Sequence, residues 1–180
     1  EDGTMRIIKK LITVLAVVIV VLLAAAYLLP RQVQVARSIE INAPASEVFT
    51  HVNSLKATAE WSPWLGRDPE IALNYAGPDV GVGSKLEWRS EHPQVGSGKQ
   101  EIVEIVENEK VVTALDFGAQ GTAMASFNLV EVGGKTTITW DMDTDMGSNP
   151  IGRYMGLIMD KWVGGDYETG LARLKSLIEG

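Results

Sequence analysis

Cysteine is absent from the chain. That excludes disulfides, thiol catalysis and any metal held by thiolates, and it leaves the compartment open. Histidine is nearly absent: His51 and His92 are the two present, and neither has a nucleophile signature or metal-ligand spacing around it. Positive charge is scarce. Setting aside Glu1, Asp2, Arg6, Lys9 and Lys10 leaves 13 basic and 21 acidic residues of the chain's 16 and 23, a net charge of −8 from Arg31 onward. A nucleic-acid surface is normally basic, so that class of partner is excluded, and electrostatic docking of this part on anionic lipid is equally disfavoured. Repeats and low-complexity stretches are absent. Gly81-x-Gly83 and Gly96-x-Gly98 lack the following helix that a phosphate cradle needs, so they read as turns.

What the chain does have is a charge-free run of 19 residues, Leu11 to Leu29. As a helix it rises about 28 Å, close to the roughly 30 Å hydrocarbon core of a bilayer. Ala24-Ala25-Ala26 resembles the end of a cleavable signal, yet the apolar run continues through Tyr27, Leu28 and Leu29. The expectation is an uncleaved anchor in a cell (inner) membrane, crossing once. Arg6, Lys9 and Lys10 precede it and Arg31 follows, so the N-terminus is expected in the cytoplasm and the remainder in the periplasm or outside the cell. Residues 1–4, ahead of Met5, read as a cloning remnant. Residues 5–30 are the basic end and anchor, and residues 31–180 one domain, long enough for a core without staples.

Within that domain VQVARSIEI reads as a strand and Asn42-Ala43-Pro44 breaks it. Val48, Phe49, Val52 and Leu55 recur at helical spacing, and a second short helix ends before Pro63. About six strands follow, separated by glycine-rich turns. Leu86 and Trp88 share one face, as do Val111, Thr113, Leu115 and Phe117, and then Ile138, Trp140 and Met142. Ser148-Asn149-Pro150 opens a long final helix with an apolar stripe of Ile151, Tyr154, Met155, Ile158 and Trp162, continued by Tyr167, Leu171, Leu174 and Ile178. Gly164-Gly165 is expected to weaken or kink it. This order gives an α+β domain whose antiparallel sheet needs a helix over its apolar face.

The same order, with I-x-A-P-x-S-E-V-F at Ile41 to Phe49, W-S-P-W at Trp61 to Trp64, E-N-E-K-V at Glu107 to Val111, and Trp140 after Gly134-Lys135-Thr136-Thr137, resembles the START-like (SRPBCC) superfamily. It is most similar to bacterial members of polyketide cyclase/dehydrase type, from about Val33 to Leu177. The resemblance implies a helix-grip fold, a curved antiparallel sheet around a long C-terminal helix, with an apolar cavity between them. It implies binding of an apolar small molecule or lipid, and leaves the ligand open because the superfamily includes binders, transfer proteins, cyclases and chaperone regulators.

On that fold Trp61 and Trp64 are expected at the cavity mouth. Trp88, Phe117 and Trp140 are expected to line it from the sheet, and Tyr154, Ile158 and Trp162 from the final helix. Their apolar bodies suit such a ligand and their polar edges orient it. General acid–base catalysis needs a positioned titratable group in the pocket. The candidates for a cyclase- or hydrolase-like enzyme are His51 and Glu104, the latter sharing a strand face with Gln100. A solvated edge is the simpler reading of Glu104, and no catalytic residue is assigned. Asp141, Asp143 and Asp145 alternate on a strand. Counted as a calcium loop from Asp141, position six is Met146 and position twelve Gly152, so the loop pattern fails. They read as a solvent face, with no metal and no cofactor expected. Binding without chemistry is therefore the first reading. The alternatives are a protein-interaction subunit docked to a membrane-protein partner, and an enzyme.

Overall fold

The computed structural model describes residues 2–180. Helix α1 spans Asp2–Ala26 and contains the apolar run up to its last turn, with Tyr27 to Leu29 completing a turn beyond it. Its leucines, isoleucines and valines from Ile7 to Leu23 are exposed. Water does not favour such a surface, whereas lipid tails do.

Seven strands form one curved antiparallel sheet: β1 (Gln32–Ile41), β2 (Ala72–Ala76), β3 (Lys85–Arg89), β4 (Gly98–Val106), β5 (Lys110–Asp116), β6 (Thr122–Val132) and β7 (Lys135–Asp145). Their order is β1-β7-β6-β5-β4-β3-β2, so the first strand closes beside the last. Two short helices, α2 (Ala45–Thr50) and α3 (Leu55–Trp61), sit between β1 and β2, and α4 (Pro150–Glu179) follows β7. This is the helix-grip architecture.

Alternation sets the faces. Ala125, Phe127 and Leu129 of β6 and Ile138, Trp140 and Met142 of β7 point inward and are buried. They meet Val48 and Phe49 of α2, Trp61 of α3, and Tyr167, Leu171 and Leu174 of α4 in one core. Each fully buried aliphatic side chain contributes about 1.5–3 kcal/mol. Helix α2 has no side-chain cap; instead the Glu131 carboxylate accepts from the Ala45 N–H at 2.8 Å, placing negative charge at the positive helix end.

Two expectations need correction. Gly164-Gly165 does not break α4, which is one helix from Pro150 to Glu179. Gly164 is there for close approach: a Cβ on it would lie 2.2 Å from the Arg37 guanidinium of β1. That guanidinium bonds Asp160 and Glu168, one turn either side of Gly164 on α4. Gly170 likewise lets α4 sit on aromatic rings, since a Cβ there would lie 2.9 Å from Trp140 and 3.1 Å from Pro63. Second, Gln100 and Glu104 do not share a face. The β4–β5 register shifts between Ile102 and Glu104, and this bulge turns Glu104 outward to Lys110 at 3.2 Å.

Candidate functional site

The curved sheet does not close fully onto the first turns of α4's buried half. Between them lies a cavity of about 750 Å³, within the range of small-molecule sites. Its floor is Trp140 and Met142 of β7, Ala125 and Phe127 of β6, Leu115 of β5 and Gln100 of β4. One side is Leu55, Trp64 and Leu65 at and after α3. The far side is Trp88 of β3, Val95 and Phe117. Trp162, Val163, Asp166 and Tyr167 of α4 cover it.

Aromatic rings dominate these walls and support one another. Trp140 is the hub: Trp61 and Trp64 meet it edge-on at 5.2 and 5.6 Å, Phe127 lies tilted at 5.1 Å, and Tyr167 stacks on it at 3.9 Å and 8°. Trp88 and Phe117 form a second pair, edge-on at 6.0 Å. Such pairs add about 0.5–1.5 kcal/mol each beyond area burial and hold the walls in place.

Polar groups are few and placed. Arg67, in the loop after α3, donates twice to Asp166 on α4, once at 3.0 Å. The carboxylate hydrogen bond holds the Arg67 pKa above its ordinary value. Both side chains line the cavity, so they bring to it a neutralised pair rather than a free charge. Gln100 donates its amide to the Thr113 hydroxyl at 3.2 Å. Tyr167 is 2 % exposed, and burial pushes its phenol well above the ordinary value, with Asp141 adding to the rise. Its hydroxyl makes no hydrogen bond with any described residue, yet it is not sealed from solvent-sized space. It is a neutral donor and acceptor on a residue of the cavity lining.

Of the eight residues expected from the sequence, five line the cavity: Trp64, Trp88, Phe117, Trp140 and Trp162. Three lie elsewhere. Trp61 is 1 % exposed behind Trp64, its indole N–H donating to the His51 carbonyl at 3.1 Å; it is core. Tyr154 and Ile158 lie on the first half of α4, where Gly156 lets the helix run close against Val33 of β1, and Tyr154 donates to the Leu22 carbonyl of α1 at 2.7 Å. Neither reaches the lining. The two candidate bases are also outside it: Glu104 faces solvent with Lys110, and His51 ends α2. Sequence reasoning missed the Arg67–Asp166 pair, whose partners are 99 residues apart with no local signal. It also read Tyr167 as plain stripe.

The acidic strand separates into three situations. Asp141 is half-buried and accepts from Ser126 and Asn128 at 2.8 and 2.6 Å, Asp143 is exposed, and Asp145 pairs with Arg31. No cluster of three carboxylate or imidazole groups fit to hold a metal occurs among the described residues. A second hollow of similar size lies on the outer face of the sheet. Charges of both signs wall it, including the Lys85–Glu101 pair, which suits water rather than an apolar ligand.

Comparison with solved structures finds the same fold repeatedly. Norcoclaurine synthase from Thalictrum flavum superposes with a TM-score of 0.64 at 16% identity, covering 82% of this chain and 93% of that one. The di-domain ARO/CYC StfQ of the steffimycin biosynthetic pathway gives 0.60 at 10% identity, covering 82% of this chain and 51% of StfQ. A Chromobacterium violaceum protein gives 0.54 at 17% identity, covering 84% and 99%. No curated protein sequence matches the chain. Identities this low carry the fold alone. The sequence model for polyketide cyclase / dehydrase and lipid transport proteins matches residues 32–179, from the first strand to the last turn of α4, and the chain belongs to that family.

Proposed function

We propose that the chain binds an apolar small molecule or lipid in the cavity under α4, without converting it, while α1 anchors it in a membrane. The observation that carries this reading is the cavity wall. Rings from α4, the sheet and the α3 loop enclose about 750 Å³, and the charged pair at its edge is self-neutralised. An apolar ligand loses little there, since the wall asks for no charge, and Tyr167, Gln100 and the indole N–H groups offer orientation. The lining residues assigned to the ligand are Trp64, Trp88, Phe117, Trp140 and Trp162, joined by Tyr167 and Met142. Helix α1 supports the anchor by length, composition and exposed apolar surface. Arg6, Lys9 and Lys10 ahead of it favour a cytoplasmic N-terminus, with the domain on the periplasmic or outer side.

Native mass spectrometry of the full chain released from nanodiscs tests the reading. The expected spectrum carries an additional apolar mass of a few hundred daltons that survives mild activation. A spectrum showing a protein partner and no small molecule would favour an interaction subunit instead. An enzyme is the second reading, and one observation favours it: Tyr167, a titratable residue of the cavity lining, has no hydrogen-bond partner for its hydroxyl among the described residues. A co-purified ligand recovered chemically changed by the parent and unchanged by Tyr167→Phe would establish it.

A further inference from the structure

Helix α4 has two halves of different character. From Gly164 onward Tyr167, Gly170, Leu171 and Leu174 are buried on the sheet. Before it, Ile151, Met155, Ile158 and Trp162 recur at intervals of four, three and four residues, which places them on one face. All four are exposed, at 69, 42, 37 and 60 %. A stripe that the sequence pattern marks as a packing face is thus left partly uncovered by the domain.

Its position identifies the occupant. The start of α4 is fastened to the end of α1. Tyr154 donates to the Leu22 carbonyl at 2.7 Å, and Arg153 donates to the Tyr27 and Leu29 carbonyls at 3.0 and 3.3 Å, its guanidinium 5.2 Å from the Tyr27 ring centre. Leu22 lies four residues before the helix end, about 6 Å inside it at the α-helical rise. The beginning of α4 therefore stands at the depth of the last turn of α1. Tyr27, Tyr154 and Trp162 with Arg31 and Arg153 have the composition of a membrane–water interface, where amphipathic rings and long cations gather.

We infer that the stripe Ile151–Met155–Ile158–Trp162 rests on the bilayer that holds α1 and brings the cavity mouth to the lipid surface. Trp162 belongs to both, as the last residue of the stripe and part of the cavity wall. A ligand then passes from the lipid leaflet along an apolar track into the cavity. The docking is by apolar contact, consistent with a domain whose net charge repels anionic lipid. This inference rests on the reading of α1 as a membrane anchor.

The absence of cysteine makes the test clean. Single cysteines replace Ile151, Met155, Val18 within α1, and Val132. Val132 is 74 % exposed at the β6–β7 hairpin, at the end of the sheet away from α1. Each full-length variant is spin-labelled in nanodiscs of phosphatidylcholine. Accessibility is read against oxygen, which concentrates in lipid, and a water-soluble nickel chelate. Labels at 151 and 155 are expected to favour oxygen several-fold more than the label at 132, approaching the label at 18. If 18 is in lipid while 151 and 155 are open to nickel, the docking inference is wrong and the anchor stands. Protection of 151 and 155 from both reagents would mean a protein contact and would also overturn it. If the label at 18 is itself open to nickel, the anchor fails and the inference with it. A variant that does not fold is replaced by the Ile158→Cys label, read in the same way.

Discussion

The indole of Trp140 and the phenol ring of Tyr167 lie face to face, 3.9 Å apart and 8° from parallel. Trp140 comes from the sheet and Tyr167 from α4, so this stack is where the helix grips the sheet and also the inner wall of the cavity. One contact supplies both fold and site.

The hydroxyl of Tyr167 has no hydrogen-bond partner among the described residues, so Tyr167→Phe should leave the melting temperature within a few degrees of the parent. Tyr167→Ala removes the stacked ring and should cost about 3–5 kcal/mol, as for other large buried aromatics. Denaturant melts of both variants check this. A loss of several kcal/mol from the phenylalanine variant would mean that the hydroxyl has a structural partner.

The two tryptophans of the wall should behave differently. Trp162 is 60 % exposed and Trp140 6 %. Trp140→Ala should cost about 3–5 kcal/mol. Trp162→Ala should cost well under that, because one side of the ring already faces open space, while weakening uptake of an apolar probe. Equal destabilisation by the two would make Trp162 ordinary core.

The glycines of α4 give a paired test. Gly165 has no neighbour within 4 Å of an added Cβ, so Gly165→Ala should stabilise by about 0.5–1 kcal/mol through helix propensity. Gly170→Ala drives a methyl into the Trp140 ring and should destabilise by about 1–3 kcal/mol. Thermal melts in which the two changed stability in the same direction would show that α4 does not approach the sheet as described.

Acid stability follows from the carboxylates. Hydrogen bonds from Arg31, Arg37 and Ser90 hold Asp145, Asp160 and Asp68 below the usual aspartate value. Their contribution is present above about pH 4 and is lost as the pH falls through their lower native values. Asp141 is opposite in sign: burial, with the Asp143 charge, raises it, so its ionisation as pH rises works against the fold. Asp141→Asn should therefore melt higher than the parent at pH 7, with the gap closing as the pH drops through the carboxylate range. A gap that widened on acidification would reverse this assignment.

Much of this was legible in the sequence. Period-two patterning in β7 placed Ile138, Trp140 and Met142 on one face, and it held because the strand is long and unbulged. The same reasoning failed on β4, where one extra residue flips Glu104 and leaves Gln100 facing in. On α4 the apolar stripe was correctly seen, but periodicity says only that a face is apolar. It does not say whether sheet, ligand or lipid covers it, and so Tyr154 and Ile158 were placed in the cavity. Pairs such as Arg67–Asp166 leave no local trace at all.

Occupancy of the cavity under α4 by an apolar ligand is directly measurable. The most direct measurement is quenching of tryptophan fluorescence in the full chain in nanodiscs by a bromine-labelled fatty acid, in the parent and in Ala125→Phe. Ala125 lines the cavity floor, and a phenyl ring there fills the space a ligand needs. Saturable quenching is expected in the parent near one probe per chain, with at least tenfold weaker binding in Ala125→Phe and the variant still folded. Equal quenching of the two proteins, or quenching that rises with lipid partitioning and never saturates, would contradict such occupancy.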